Sequence, residues 1–101
     1  MPQPVSADTP LDPAALDPGA REALTARLYD VHRRIFDGVD EAAFRRYVVD
    51  SPAERTRIQC FRSADGDLVG YGAFHRFSVP LGEQTATILR CEMGMLPAFR
   101  G

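Results

Sequence analysis

The chain has no lysine; all 12 of its basic residues are arginine. With its many Ala, Asp and Pro residues, that bias reads as GC-rich coding rather than as a functional signal. It also has no long apolar run. Nothing approaches the ~20 residues needed to span a bilayer, so no membrane partner is expected. The N-terminus, MPQPVSADTP, has neither the basic region nor the apolar stretch of a secretion signal. There are only two cysteines, Cys60 and Cys91. Without an export signal they are expected to be reduced thiols in a cytoplasmic protein. No basic excess is present: a net charge of -2 argues against a nucleic-acid partner, which usually needs a basic face. No metal pattern emerges either, because His32, His75, Cys60 and Cys91 contain no close pair at ligand spacing. No internal repeat appears, and no serine has a nucleophile-elbow context.

What is present is one domain at most, 101 residues long. The balance of 45% hydrophobic and 26% charged residues is that of ordinary globular material, with room for a modest core. Residues 1–16 carry Pro2, Pro4, Pro10 and Pro13 among small and acidic residues, a composition expected to give a flexible, Pro-rich arm. Asp17-Pro18 then starts a helix: Asp caps free N–H groups and Pro suits the first turn. The helix is expected from Pro18 to about Asp37, with Leu24, Leu28, Val31 and Ile35 on one face and Gly38 beyond its end. Asp40 caps a second helix, Glu41 to about Asp50, whose apolar face is Phe44, Tyr47 and Val48. Ser51-Pro52 stops it.

From Arg55 the period changes to two. Ile58 and Cys60 alternate with Arg57, Gln59 and Phe61, and Asp65-Gly66 signals a hairpin. The next strand, Asp67 to Val79, is apolar on both faces near its centre, so it is expected in the interior of the sheet, covered on both sides. Pro80 to Glu83 makes a turn. The last strand follows, with Gly94 inside it and Pro97 stopping it. The fold class is therefore α+β: two N-terminal helices packed on a three-stranded antiparallel meander. Gly94 in a strand interior signals a bulge or a close approach of backbone or ligand; the alternative is that it makes room for a large neighbour such as Phe74.

The final stretch, Met95-Leu96-Pro97-Ala98-Phe99-Arg100-Gly101, resembles the fourth strand and the start of the acetyl-CoA loop of the GNAT N-acetyltransferase superfamily. There an apolar residue, any residue and Pro are followed two residues later by Arg-Gly. The order of helix, helix and meander is similar to the N-terminal half of that fold over residues 18–101. The resemblance implies an incomplete GNAT domain at 17–101, a fragment inactive by itself, whose missing part would finish the phosphate loop. The implied function is transfer of an acetyl group from acetyl-CoA to a primary amine on a small molecule or peptide, with a homodimer admitted. Main-chain groups of Met93, Gly94 and Met95 would hold the pantetheine arm, and Arg100 and Gly101 would begin the diphosphate loop. Glu92 is the candidate general base; an ion pair with Arg90 and a solvated carboxylate are the competing readings. His75 and His32 are more simply structural. The alternative to the enzyme is a small non-catalytic α+β binding module.

Overall fold

A computed structural model describes residues 2–100. The architecture is α+β, with two helices packed on a four-stranded antiparallel sheet in the order β1-β2-β3-β4. The strands are β1 (Val5–Ala7), β2 (Arg55–Ser63), β3 (Leu68–Leu81) and β4 (Gln84–Met95). The helices are α1 (Pro18–His32) and α2 (Glu41–Phe44), the latter continued by a wide π-type turn, Arg45–Val49. Among the described residues no helix is long and apolar enough to cross a membrane.

The expected three-stranded meander is corrected to four strands, and the helices lie between β1 and β2 rather than ahead of every strand. The fourth strand comes from the Pro-rich segment: Val5 pairs with Ser63 and Ala7 with Phe61. Leu11 and Ile58 exchange main-chain hydrogen bonds of 2.8 Å further along. The main-chain N–H and C=O groups of β2's outer edge need partners, and this segment supplies them whatever its side-chain pattern.

Both caps form as expected. Asp17 accepts from the Ala20 N–H and Asp40 from the Ala43 N–H, each at 2.8 Å. Helix α1 ends at His32, short of Asp37, and a turn follows through Phe36, whose N–H still donates to His32 O. Leu28 and Val31 are buried while Leu24 and Ile35 are half-buried. In the second helix the expected apolar face is wrong at Tyr47. The Asp50 N–H donates to Arg45 O at 2.7 Å, a five-residue step that widens the turn. The extra residue rotates Val48 and Val49 inward together and turns Tyr47 out, 51% exposed.

The core lies between the helices and one face of the sheet. Leu28, Phe44, Val48 and Val49 meet Ile58, Cys60, Tyr71 and Ala73 there. A second cluster joins Val31, Val69 and Leu96, with Phe99 packed against it. Each large apolar side chain buried in this way contributes roughly 1.5–3 kcal/mol.

Strand β3 is interior to the sheet, but helices cover only one of its faces, which corrects the expectation of cover on both. Its other face reads as apolar because it carries Gly70 and Gly72, with the Phe74 ring folded back across Gly72. Asp65-Gly66 makes its turn with Gly66 at φ +85°. The β3–β4 turn falls on Gly82-Glu83, with Leu81 opposite Gln84 and Gly82 at φ +63°.

No bulge occurs at Gly94. The β3–β4 ladder runs in register from Leu81↔Gln84 to Gly70↔Met95, and the register shift lies instead at Phe61/Arg62 in β2. Gly94 makes room for a large neighbour, but that neighbour is Phe36: a Cβ at 94 would lie 2.8 Å from Phe36 Cε2 and 3.2 Å from Ile35 Cδ1. The close backbone approach is at Gly70, where a Cβ would lie 2.6 Å from Gly94 O. We therefore expect Gly70→Ala to cost about 3 kcal/mol or more, because main chain must move. Gly94→Ala should cost about 1 kcal/mol, because only the exposed Phe36 ring must swing. Denaturant midpoints of the two variants check the order, and equal midpoints would refute it.

Candidate functional site

The hairpin turn fixes which side chains meet. With Leu81 opposite Gln84, His75 falls opposite Arg90 on one side and Thr56 on the other, and Glu92 falls one step diagonally away, opposite Ala73. All of these point to the helix side of the sheet.

His75 is a buried ring with a partner on each nitrogen. Nε2 is 2.8 Å from Glu92 Oε2, and Nδ1 is 3.0 Å from Thr56 Oγ1. A carboxylate oxygen accepts, so Nε2 carries the proton and donates to Glu92. Nδ1 of the neutral ring then accepts from the Thr56 hydroxyl. Burial, with help from Arg90, pushes His75 below its ordinary value, while Glu92 pulls the other way. The second Glu92 oxygen lies 2.9 Å from Arg90 Nε, too far out of line for a formed hydrogen bond, so that contact is an ion pair. Arg90 in turn donates through Nη2 to Tyr47 O at 2.9 Å, and its guanidinium lies 3.9 Å above the Tyr47 ring. The carboxylate is thus held from both sides, and Arg90 ties β4 to the wide turn after α2.

Beside this chain of contacts opens a cleft of about 610 Å³ between α2, its approach from α1, and β4. Glu92 and Tyr71 line it together with His32, Phe36, Asp37, Phe44, Tyr47 and Met93. Tyr71 Oη is 2.8 Å from His32 Nδ1. Its phenol is pushed up to about 12, by burial first and then by the Glu92 charge. Burial also lowers His32 from its ordinary value, and the ring packs between Phe36 and Phe44 at centroid distances of 5.0 and 4.7 Å.

The expected cofactor residues divide by strand parity. The Leu96 N–H donates to Val69 O at 2.9 Å. By antiparallel alternation Gly94 and Glu92 also turn their main-chain groups toward β3. Met93 and Met95 turn theirs to the outer edge of β4, which no other strand covers among the described residues. Arg100 Nε donates to Met95 O at 2.9 Å, so that carbonyl already has a partner. Gly101 lies outside the described residues. Cys60 and Cys91 are free thiols separated by β3 and placed on opposite faces of the sheet. Among the described residues no cluster of three His, Cys, Asp or Glu groups is arranged to hold a metal ion.

Sequence reasoning gave an ion pair with Arg90 as the alternative to a catalytic Glu92, and that pair is present; it read His75 as a hydrogen-bonded core residue, which it is. It missed Tyr71, Thr56, Phe36, Asp37 and Tyr47 as neighbours of the site. Counting back from the two-residue turn fixes the β3–β4 pairs, but the longer β2–β3 turn and the register shift at Phe61/Arg62 left the partner of His75 on β2 unreadable. The chain matches no protein-family model, no curated protein and no solved structure.

The two depressed histidines set a pH dependence. As pH falls through about 6.5 the unfolded chain takes up protons that the folded chain resists, so stability falls with pH. We expect the free energy of unfolding to drop between about pH 7.5 and pH 5.5. The drop should be smaller in His75→Gln, which can still donate to Glu92 and accept from Thr56 but does not titrate. Denaturant melts at the two pH values measure this; an equal drop in both proteins would remove His75 from the linkage.

Proposed function

We propose that this chain carries the acceptor side and the cofactor strand of a GNAT-type N-acetyltransferase, which moves an acetyl group from acetyl-CoA to a primary amine. One observation supports the reading above the others. Strand β4 turns the Glu92 side chain into a cleft while its next residue, Met93, offers free main-chain groups along an open edge.

Bound acetyl-CoA supplies an activated acyl thioester. The Met93 N–H and C=O and the Met95 N–H suit an extended, amide-bearing arm added beside β4 like a further strand. Gly94 does not suit that role, because its main chain is engaged by β3. Arg100 is near enough to the end of β4 to bond Met95 O, and its remaining guanidinium N–H groups offer a cationic contact for phosphate. On the acceptor side Glu92 takes the proton that an ammonium must lose before its nitrogen can attack. His75 and Arg90 keep the carboxylate turned to that task, and Oε2 retains a lone pair beyond its bond to His75.

A second reading, a small non-catalytic α+β binding module, draws on the unbroken β3–β4 ladder and on Gly94 being explained by Phe36. The two readings part at the cofactor. Calorimetric titration of acetyl-CoA into the protein as its gene encodes it should give a micromolar Kd, about -8 kcal/mol. No detectable binding would leave the binding module. With an amine that the wild type acetylates, Glu92→Gln should lower turnover at neutral pH by about 100-fold or more while acetyl-CoA affinity stays unchanged. Equal turnover in the variant would return Glu92 to a structural role.

A further inference from the structure

We propose that the cleft beside Glu92 is a receptor for a lipophilic primary ammonium, a single cation on an aryl or alkyl body. The inference names the acceptor class of the acetyltransferase reading, and rests on that reading only for what happens to the amine once bound.

Size comes first. About 610 Å³ falls within the ~300–1,000 Å³ of small-molecule sites. The walls come next. Phe36, Val39 and Tyr47 are 43, 42 and 51% exposed, and all three line this one cleft. A gathering of large apolar groups at one solvent-facing place marks a binding surface, whereas the same groups scattered singly would not. Charge then selects the occupant. The ionisable acids lining the cleft are Asp37 and Glu92, and no arginine lines it. His32 is shifted toward its neutral form. Asp37 has no ion pair or hydrogen bond among the described residues, whereas the Glu92 charge is balanced by Arg90. A carboxylate or phosphate ligand would face net negative charge with no cation to meet it, and a highly polar cation would waste the aromatic walls. At the inner end, His32 Nε2 is buried with no hydrogen-bond partner among the described residues. It can accept from an ammonium only in the tautomer whose Nδ1–H donates to Tyr71 Oη. An amine of amphipathic form meets all three conditions.

The test uses three probes of one shape: phenethylammonium, 2-phenylethanol and phenylacetate, each titrated into the wild-type protein without acetyl-CoA. Phenethylammonium should bind at least tenfold tighter than the alcohol, phenylacetate should not bind, and the ammonium affinity should fall with added salt. Amide shifts in the wild type should be confined to the neighbourhood of Phe36, Asp37, Tyr47 and Met93. Asp37→Asn, an exposed change that leaves the core alone, should weaken the ammonium about two- to fivefold, the size of an exposed ion pair. Leu81→Ser, at the far end of the hairpin, should leave it unchanged. Equal affinity for all three probes, or no binding of the ammonium, overturns the inference. Ammonium binding by a protein that does not bind acetyl-CoA would keep the inference and sink the acetyl-transfer reading. Acetyl-CoA binding without ammonium binding would do the reverse.

Discussion

His75 is a polar ring with no access to water, and it sits in the middle of the strand that both neighbours pair with. Each of its nitrogens must find a partner inside the protein, since an unpaired buried polar atom costs about 1–3 kcal/mol. Thr56 is directly opposite on β2 and Glu92 diagonally opposite on β4, so the requirement spans three strands. A one-residue slip of β2 would turn Thr56 to the solvent face and leave Nδ1 unpaired. A slip of β4 would remove Glu92 from Nε2. The same slip of β2 would turn the buried Ile58 and Cys60 outward as well, and this contact adds a directional requirement to theirs. It is the point at which burial, pairing and register become one condition.

The cleft inherits its shape from the same contact. Glu92, held by His75, faces Arg90 across one pleat. Arg90 is long enough to cross from the sheet to the wide turn after α2, where it meets both the Tyr47 carbonyl and the Tyr47 ring. That turn is wide because Val48 and Val49 are both drawn into the core, and Tyr47 is left outside as a consequence. One wall of the cleft is therefore set by core packing and tethered by the ion pair, without any side chain devoted to it alone.

Much of the scaffold was legible in the chain. Asp17-Pro18 and Asp40 start helices because a short carboxylate answers free N–H groups whatever follows. Asp65-Gly66 and the change of period at Arg55 mark strands for equally local reasons. The failures were not local. Val5–Ala7 has no alternation of its own and becomes a strand because β2 has an edge to satisfy. Tyr47 is misplaced by a five-residue step whose cause, two valines sharing one core, is tertiary. The cleft was illegible because its parts come from α1, the link to α2, the wide turn and β4, four places brought together only by the packing of Leu28 and Phe44 on Tyr71. Glu92 could be singled out as a lone carboxylate, but its partners depended on register.

Gly94 connects the strand to the cleft in a way its place in the chain does not suggest. A glycine near the end of such a strand invites a reading in terms of the backbone, as a break that frees main-chain groups. Here the ladder is whole, and the missing Cβ is needed by Phe36, whose ring rests on the strand at that point and also forms part of the cleft wall. Any side chain at 94 would push the ring away from β4 and change the opening. Free main-chain groups arise on β4 by a different route, from parity and an uncovered edge, and they belong to Met93 and Met95. If acetyl transfer is the function, the glycine serves the amine's side of the strand and its odd-numbered neighbours serve the coenzyme's side. The division follows from the pleat alone, since a residue that aims its side chain at the helices must aim its N–H and C=O at β3.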